Sequence, residues 1–136
     1  MRKVILVFMA IFAFTACSSN DDDSKVVESF RNAYATELSV SPIGKINRNI
    51  NISFKVSYHP GCEEYYHTNT EMKDGVFYIL PVVKNNGKKC DGNTSTITQN
   101  IGWSQNRVGN YLIKIPKSVN KAGEIQYLTK EIELTE

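Results

Sequence analysis

The chain has 136 residues, 22% of them charged, with 16 Lys and Arg against 14 Asp and Glu. That length admits one domain with a real core and excludes two. The positive excess belongs to Arg2 and Lys3; without them the balance is 14 against 14 and no basic stripe remains, which argues against nucleic acid and polybasic membrane contacts as partners.

Arg2 and Lys3 begin a segment with the three parts of a secretory signal: a basic start, an apolar run from Val4 to Phe14, and small residues before a polar break. As a helix the apolar run spans roughly 17 Å, short of a hydrocarbon core of about 30 Å, so cleavage is expected rather than a transmembrane anchor. The break itself, Phe14-Thr15-Ala16-Cys17, resembles the lipobox of bacterial lipoproteins. The resemblance implies that residues 1–16 are a signal peptide and that Cys17 is acylated as the mature N-terminus, attaching the chain to a membrane through its lipid. Several acyl chains together make such an anchor stable. Ser18-Ser19-Asn20-Asp21-Asp22-Asp23 resembles the acidic export signal of Bacteroidetes surface lipoproteins, which implies an outer-membrane lipoprotein displayed at the cell surface, or alternatively facing the periplasm. The same polar run also reads as a solvated tether.

Residues 17–36 are assigned to the lipidated Cys and tether, and residues 37–136 to the folded domain. Within the tether, Val26 or Val27, Phe30, Tyr34 and Leu38 recur at helical spacing, with Asp23 or Ser24 as N-cap, so a short helix competes with an irregular lead-in over 24–36. A first strand, Glu37 to Ile43, ends at Pro42 and Gly44. Asn49 to Tyr58 alternates cleanly, with Ile50, Ile52, Phe54 and Val56 on a core face and Asn51, Ser53, Lys55 and Ser57 on a wet one. His59-Pro60-Gly61 turns the chain into a polar strand, Glu63 to Met72. Asp74-Gly75 marks a tight hairpin leading into Val76 to Val83.

That last run is apolar on both parities, so both of its faces want cover. Pro81, which cannot donate to a ladder, places it at an edge, a bulge or a strand end. The reading is a partner-facing edge strand with Tyr78 or Ile79 outward; the competing reading covers the outer face with a loop or with residues 24–36. Three further strands follow: Thr94 to Trp103, Gly109 to Pro116 and Glu124 to Leu134.

About seven short strands without a convincing long helix predict an all-β antiparallel sandwich. Gly109-Asn110-Tyr111-Leu112-Ile113 resembles the penultimate strand of immunoglobulin-like domains, in which a Tyr near the strand start bonds back to the chain as a corner. From about Glu37 onward the plan is similar to small Bacteroidetes lipoproteins of that fold, a family of unassigned function.

With Cys17 committed to the lipid, Cys62 and Cys90 remain as an even pair in an oxidising compartment, and a disulfide is expected. Closing a loop of this size stabilises by roughly 3.6 kcal/mol in the chain-entropy account. His59, Cys62, Glu63, Glu64 and His67, with Cys90, supply metal-ligand types but no standard zinc spacing, and an oxidised cysteine is no thiolate ligand. Adjacent Glu63 and Glu64 point to opposite faces of a strand and cannot converge as a glycosidase pair. No nucleophile elbow, P-loop or HExxH helix occurs. The expectation is therefore a non-catalytic binding or adhesion module without metal or cofactor, taking a glycan or protein at the cell surface. Tyr65, Tyr66, Tyr78 and Trp103 are its candidate contact residues. Two alternatives stand beside it: a small inhibitor of a host or competitor hydrolase presenting His59 to Glu64, and a metal-dependent enzyme using the His59 to His67 cluster.

Overall fold

The computed structural model describes residues 27–136, and every regular element in it is a strand: β1 (Ser29–Asn32), β2 (Tyr34–Ser39), β3 (Ile43–Lys45), β4 (Ile50–Tyr58), β5 (Glu63–Lys73), β6 (Val76–Asn85), β7 (Ser95–Trp103), β8 (Gly109–Val119) and β9 (Ile125–Thr135). The expected signal peptide, Cys17, the acidic run and the start of the 24–36 segment lie outside the described residues.

Local chemistry accounts for the clearest elements. In β4 the alternation holds, with Ile50, Ile52, Phe54 and Val56 buried and their polar neighbours at or near the surface. The β5–β6 hairpin closes with Lys73 opposite Val76, and both turn residues are left-handed, Asp74 at φ 52° and Gly75 at φ 76°. A two-residue turn with both centres at positive φ matches the twist of the flanking strands, which is why Asp-Gly is favoured there.

The strands form two sheets. The smaller is β2–β4–β7, antiparallel throughout. In the larger sheet β5 pairs with β6 along its whole length, while the opposite edge of β6 is shared. Its first part, Val76 to Tyr78, runs parallel to β8, and its last part, Val82 to Asn85, runs antiparallel to β1. Beyond β8 lie β9 and the short parallel strand β3. The sheets meet across one core, to which the smaller contributes Ile52, Phe54 and Val56 and the larger Ile79, Val83, Ile113, Ile115, Ile132 and Leu134. Each such side chain adds roughly 1.5–3 kcal/mol on burial. The result is a two-layer all-β fold with no closed barrel, but of nine strands among the described residues rather than about seven and not purely antiparallel, since β6–β8 and β3–β9 pair in parallel.

Three further expectations change. Residues 29–36 are extended, not helical: β1 lies in the larger sheet, β2 in the smaller, and the chain switches sheets at buried Ala33. The strand parity was carried by Ala33 and Ala35, whose small side chains leave little imprint on a hydrophobic pattern, whereas Phe30, Tyr34 and Leu38 mimic a helical repeat. The folded domain accordingly begins before residue 37. The expected strand Glu37 to Ile43 divides into β2 and β3 as the chain crosses back to the larger sheet beside β9.

The third change concerns β6, which is an interior strand and not an edge. Pro81 is tolerated there for a definite reason. Its carbonyl accepts a hydrogen bond from the Ala33 N–H at 2.8 Å, on the side shared by β1 and β8. The N–H and C=O of one residue point to the same side of a strand, so the donor that proline lacks would face the gap between β8 and β1, where no ladder partner is lost.

Candidate binding face

One end of the larger sheet is fixed by a covalent and ionic clamp. Cys62, in the β4–β5 turn, is disulfide-bonded to Cys90 in the β6–β7 loop, with Cα atoms 4.9 Å apart at a sequence separation of 28. The next residue, Glu63, is 6% exposed. It accepts two hydrogen bonds from Arg31 of β1, from Nε at 2.6 Å and from Nη2 at 2.7 Å, and a third from the His59 backbone N–H at 2.9 Å. The Arg31 guanidinium holds the Glu63 carboxyl below its ordinary pKa, outweighing burial, which pushes the other way; the His59 N–H adds to the lowering. Charge-assisted, forked pairing of this kind fixes orientation as well as distance, so the clamp sets where β1 lies against β6.

On β1, the residue before Arg31 is Phe30, on the outer face of the sheet and 53% exposed. Tyr66 of β5, 52% exposed, meets it at 4.9 Å between ring centroids, and His67 meets Tyr66 edge-on at 4.7 Å. A β-bulge makes this possible. Tyr65 pairs with Val83 and His67 with Val82, which leaves Tyr66 as the extra residue, turned outward beside His67. Beneath the rings is an open depression of about 490 Å³ bordered by Phe30, Arg31, Asn32, Tyr66, His67, Asn69 and Val82. His67 Nε2 is hydrogen-bonded to Asn69 Oδ1 at 3.0 Å.

Farther along the same face, Tyr78 of β6 meets Tyr127 of β9 at 5.8 Å, and the Lys114 ammonium lies 5.7 Å from the centre of the Tyr127 ring. Beyond the clamped end, Lys84 is paired with Glu28 at 2.8 Å, and this hydrogen bond raises the Lys84 pKa.

The structure therefore separates the four candidate contact residues. Tyr66 and Tyr78 lie on the outer face. Tyr65 is half-buried, and its hydroxyl shares a 2.6 Å hydrogen bond with Thr68 Oγ1. Trp103 is 5% exposed and packs between Phe77, at 5.5 Å, and Tyr111, at 5.3 Å, so it anchors the core and does not join a surface platform. An indole brings more apolar area than any other side chain to a core, and that decided its place.

The two histidines are drawn to different surroundings: His59 Nδ1 donates to the Asn93 carbonyl at 3.0 Å, while His67 faces Tyr66 and Asn69. Among the described residues, no group of three or more His, Cys, Asp or Glu side chains is arranged to hold a metal ion. Glu63 is buried and Glu64 exposed, on opposite faces as their adjacency requires. Phe30 and Tyr127 were missed from sequence. Phe30 was read as part of a helical repeat, while Tyr127 lies on the parity of β9 opposite the core residues Ile132 and Leu134, a signal that was available. Searches found no matching family model, curated protein or solved structure for this chain.

Proposed function

We propose that this chain is a non-catalytic binding module of the cell envelope: an immunoglobulin-like β-sandwich, held to the outer membrane by an acylated Cys17, that engages its ligand with the outer face of the larger sheet. The observation that carries the reading is the Phe30–Tyr66–His67 array, in which two large rings are about half exposed side by side on a strand frame stapled by Cys62–Cys90 and Arg31–Glu63. Soluble domains leave isolated apolar side chains at the surface as a matter of course, but contiguous aromatic ones on a rigid frame mark recognition sites. The immunoglobulin-like assignment is supported by the Tyr111 hydroxyl, which donates to the Arg107 carbonyl at 2.9 Å just before β8, a tyrosine-corner arrangement.

The inhibitor reading draws on the rigidity of the His59 to Glu64 turn. Within that turn Cys62 and Glu63 are buried, which leaves Pro60 and Gly61 as its exposed tip.

Cells displaying the full chain test the binding reading by their retention on surfaces coated with polysaccharide or with protein. Retention by the wild type that is lost in the Phe30→Ala, Tyr66→Ala double variant is the expected result; equal retention of both would remove the outer face from the function. A fatty-acid probe incorporated by the wild type but not by Cys17→Ala is expected for the anchor, and equal labelling of the two would refute it.

A further inference from the structure

The outer row of β6 is Tyr78, Leu80 and Val82, the first two half-buried and Val82 6% exposed, with one aromatic pair at each end: Phe30–Tyr66 beside Val82, and Tyr78–Tyr127. Val82 is four positions beyond Tyr78 along the strand, roughly 13 Å at about 3.3 Å per residue. A ligand touching both pairs is therefore extended and longer than a single ring.

Its chemistry is narrowed by what borders the row. On this face Lys84 is paired with Glu28 and Lys114 lies against the Tyr127 ring, while Glu64, Glu131 and Glu133 point outward without an ion-pair partner among the described residues, so the field is of mixed sign with no cationic patch. Glu71 and Lys73, beside Tyr78, carry opposite signs. A strongly charged polymer finds no complementary field here. A peptide adding as a strand needs free backbone donors and acceptors, which a sheet offers at its edges and not on its face. The depression at Phe30 is open and bordered by the amides of Asn32 and Asn69 and the imidazole of His67, each able both to donate and to accept, and by Arg31, whose charge is already paired with Glu63; this suits hydroxyl groups better than an acyl chain. A ring with an apolar C–H face and a rim of hydroxyls satisfies both the aromatic rings and the amides.

We propose that the outer face of the larger sheet binds a neutral oligosaccharide laid along β6, one sugar ring on Phe30–Tyr66 and a later ring of the same chain on Tyr78–Tyr127. This rests on the binding-module reading and names its ligand class.

The test is affinity electrophoresis of the full chain, purified in detergent, through gels containing arabinoxylan, mixed-linkage β-glucan or mannan, with polygalacturonate and heparin as anionic arms. Titration with mono-, di- and tetrasaccharides of the retaining polymer follows. At least one neutral polymer retards the wild type, and affinity rises with chain length. Tyr66→Ala weakens binding of every oligosaccharide roughly tenfold or more, while Tyr66→Phe retains it. Tyr127→Ala weakens the tetrasaccharide but not the disaccharide. Retardation by the anionic polymers alone, or by none, overturns the proposal, as does neutral binding unchanged in both alanine variants. If no polymer retards the chain but Tyr66-dependent retention on protein-coated surfaces persists, the sugar assignment falls and the binding-module reading stands. If no retention of either kind depends on Phe30 and Tyr66, both fall.

Discussion

On the smaller sheet the outward row of β4 is Asn51, Ser53, Lys55 and Ser57, beside Thr96, Thr98 and Asn100 of β7. On the larger sheet the outward row of β6 is Val76, Tyr78, Leu80 and Val82, with Phe30, Tyr66 and Tyr127 around it. The inner rows of the two strands are alike, because both serve one core. The outer rows answer to different demands: an antiparallel sheet facing water on one side needs only polar side chains there, as β4 has, and β6 departs from that rule although nothing among the described residues forms a third layer over it. Val82 is buried on that face and Tyr78 packs on Tyr127, so what sets the larger sheet apart is the pair Phe30 and Tyr66, each about half exposed.

The strongest way to break this comparison is to charge the two rows of β6 in turn. Ile79→Lys places an ammonium at a position that is 0% exposed, and unfolding is expected, since an unpaired buried charge costs several kcal/mol against a total of about 5–15 kcal/mol. Tyr78→Lys, one residue away on the outer row, is expected to remain folded and to lose about 1 kcal/mol, the scale of its pairing with Tyr127. Urea titrations of both variants read the difference. Equal unfolding would mean that both rows are structural.

The next largest effect concerns the frame beneath the aromatic array. Cys62→Ser with Cys90→Ser is expected to lower stability by roughly 2–5 kcal/mol, and the mass of the oxidised wild type should be two hydrogens below its reduced form. Two freely alkylatable thiols in the oxidised protein would contradict the bridge.

A smaller loss, about 1–3 kcal/mol, is expected for Arg31→Ala, which strands the Glu63 carboxylate with only the His59 N–H. Because Arg31 lowers the folded-state pKa of Glu63, the stability that the pair supplies is fully present above the unfolded carboxyl value of about 4.3 and is lost as pH falls through the lower folded value. The stability gap between wild type and Arg31→Ala should therefore be constant near neutral pH and close in acid, and a gap that widened in acid would reverse the assignment.

The smallest expected change is that of Tyr66→Ala, within about 1 kcal/mol, since the ring is half exposed on a bulge and supports little of the core. A large loss there would turn the aromatic array into a structural feature and erase the contrast between the two outer faces.

The core rows of β4 and the Asp74-Gly75 hairpin were legible because their signals are local: strict alternation in one case, two residues that accept positive φ in the other. The both-sided apolarity of β6 was equally legible, but it came from an interior strand and not a partner-facing edge, and the 24–36 segment supplies Phe30 to its outer face beside buried Val82. Phe30 was hidden by a false helical period. Trp103 shares its parity with Ile97 and Ile101, so its core position was legible, and only the alternative that made it part of a surface platform fails.

By itself, the sequence determined that this domain is built of strands, which residues of β4 face inward, that Cys62 has only Cys90 to pair with once Cys17 is set aside, and that β6 has no polar face. Those properties follow from period, turn chemistry and parity, which act over a few residues. Only the tertiary structure decided that β1 and β8 share one edge of β6, with Pro81 at the gap between them, that Arg31 closes on Glu63, and that a bulge brings Tyr66 against Phe30. Each of these joins residues from separate strands. The free energy that selects them is burial and pairing across the sheet, to which no single segment contains both partners.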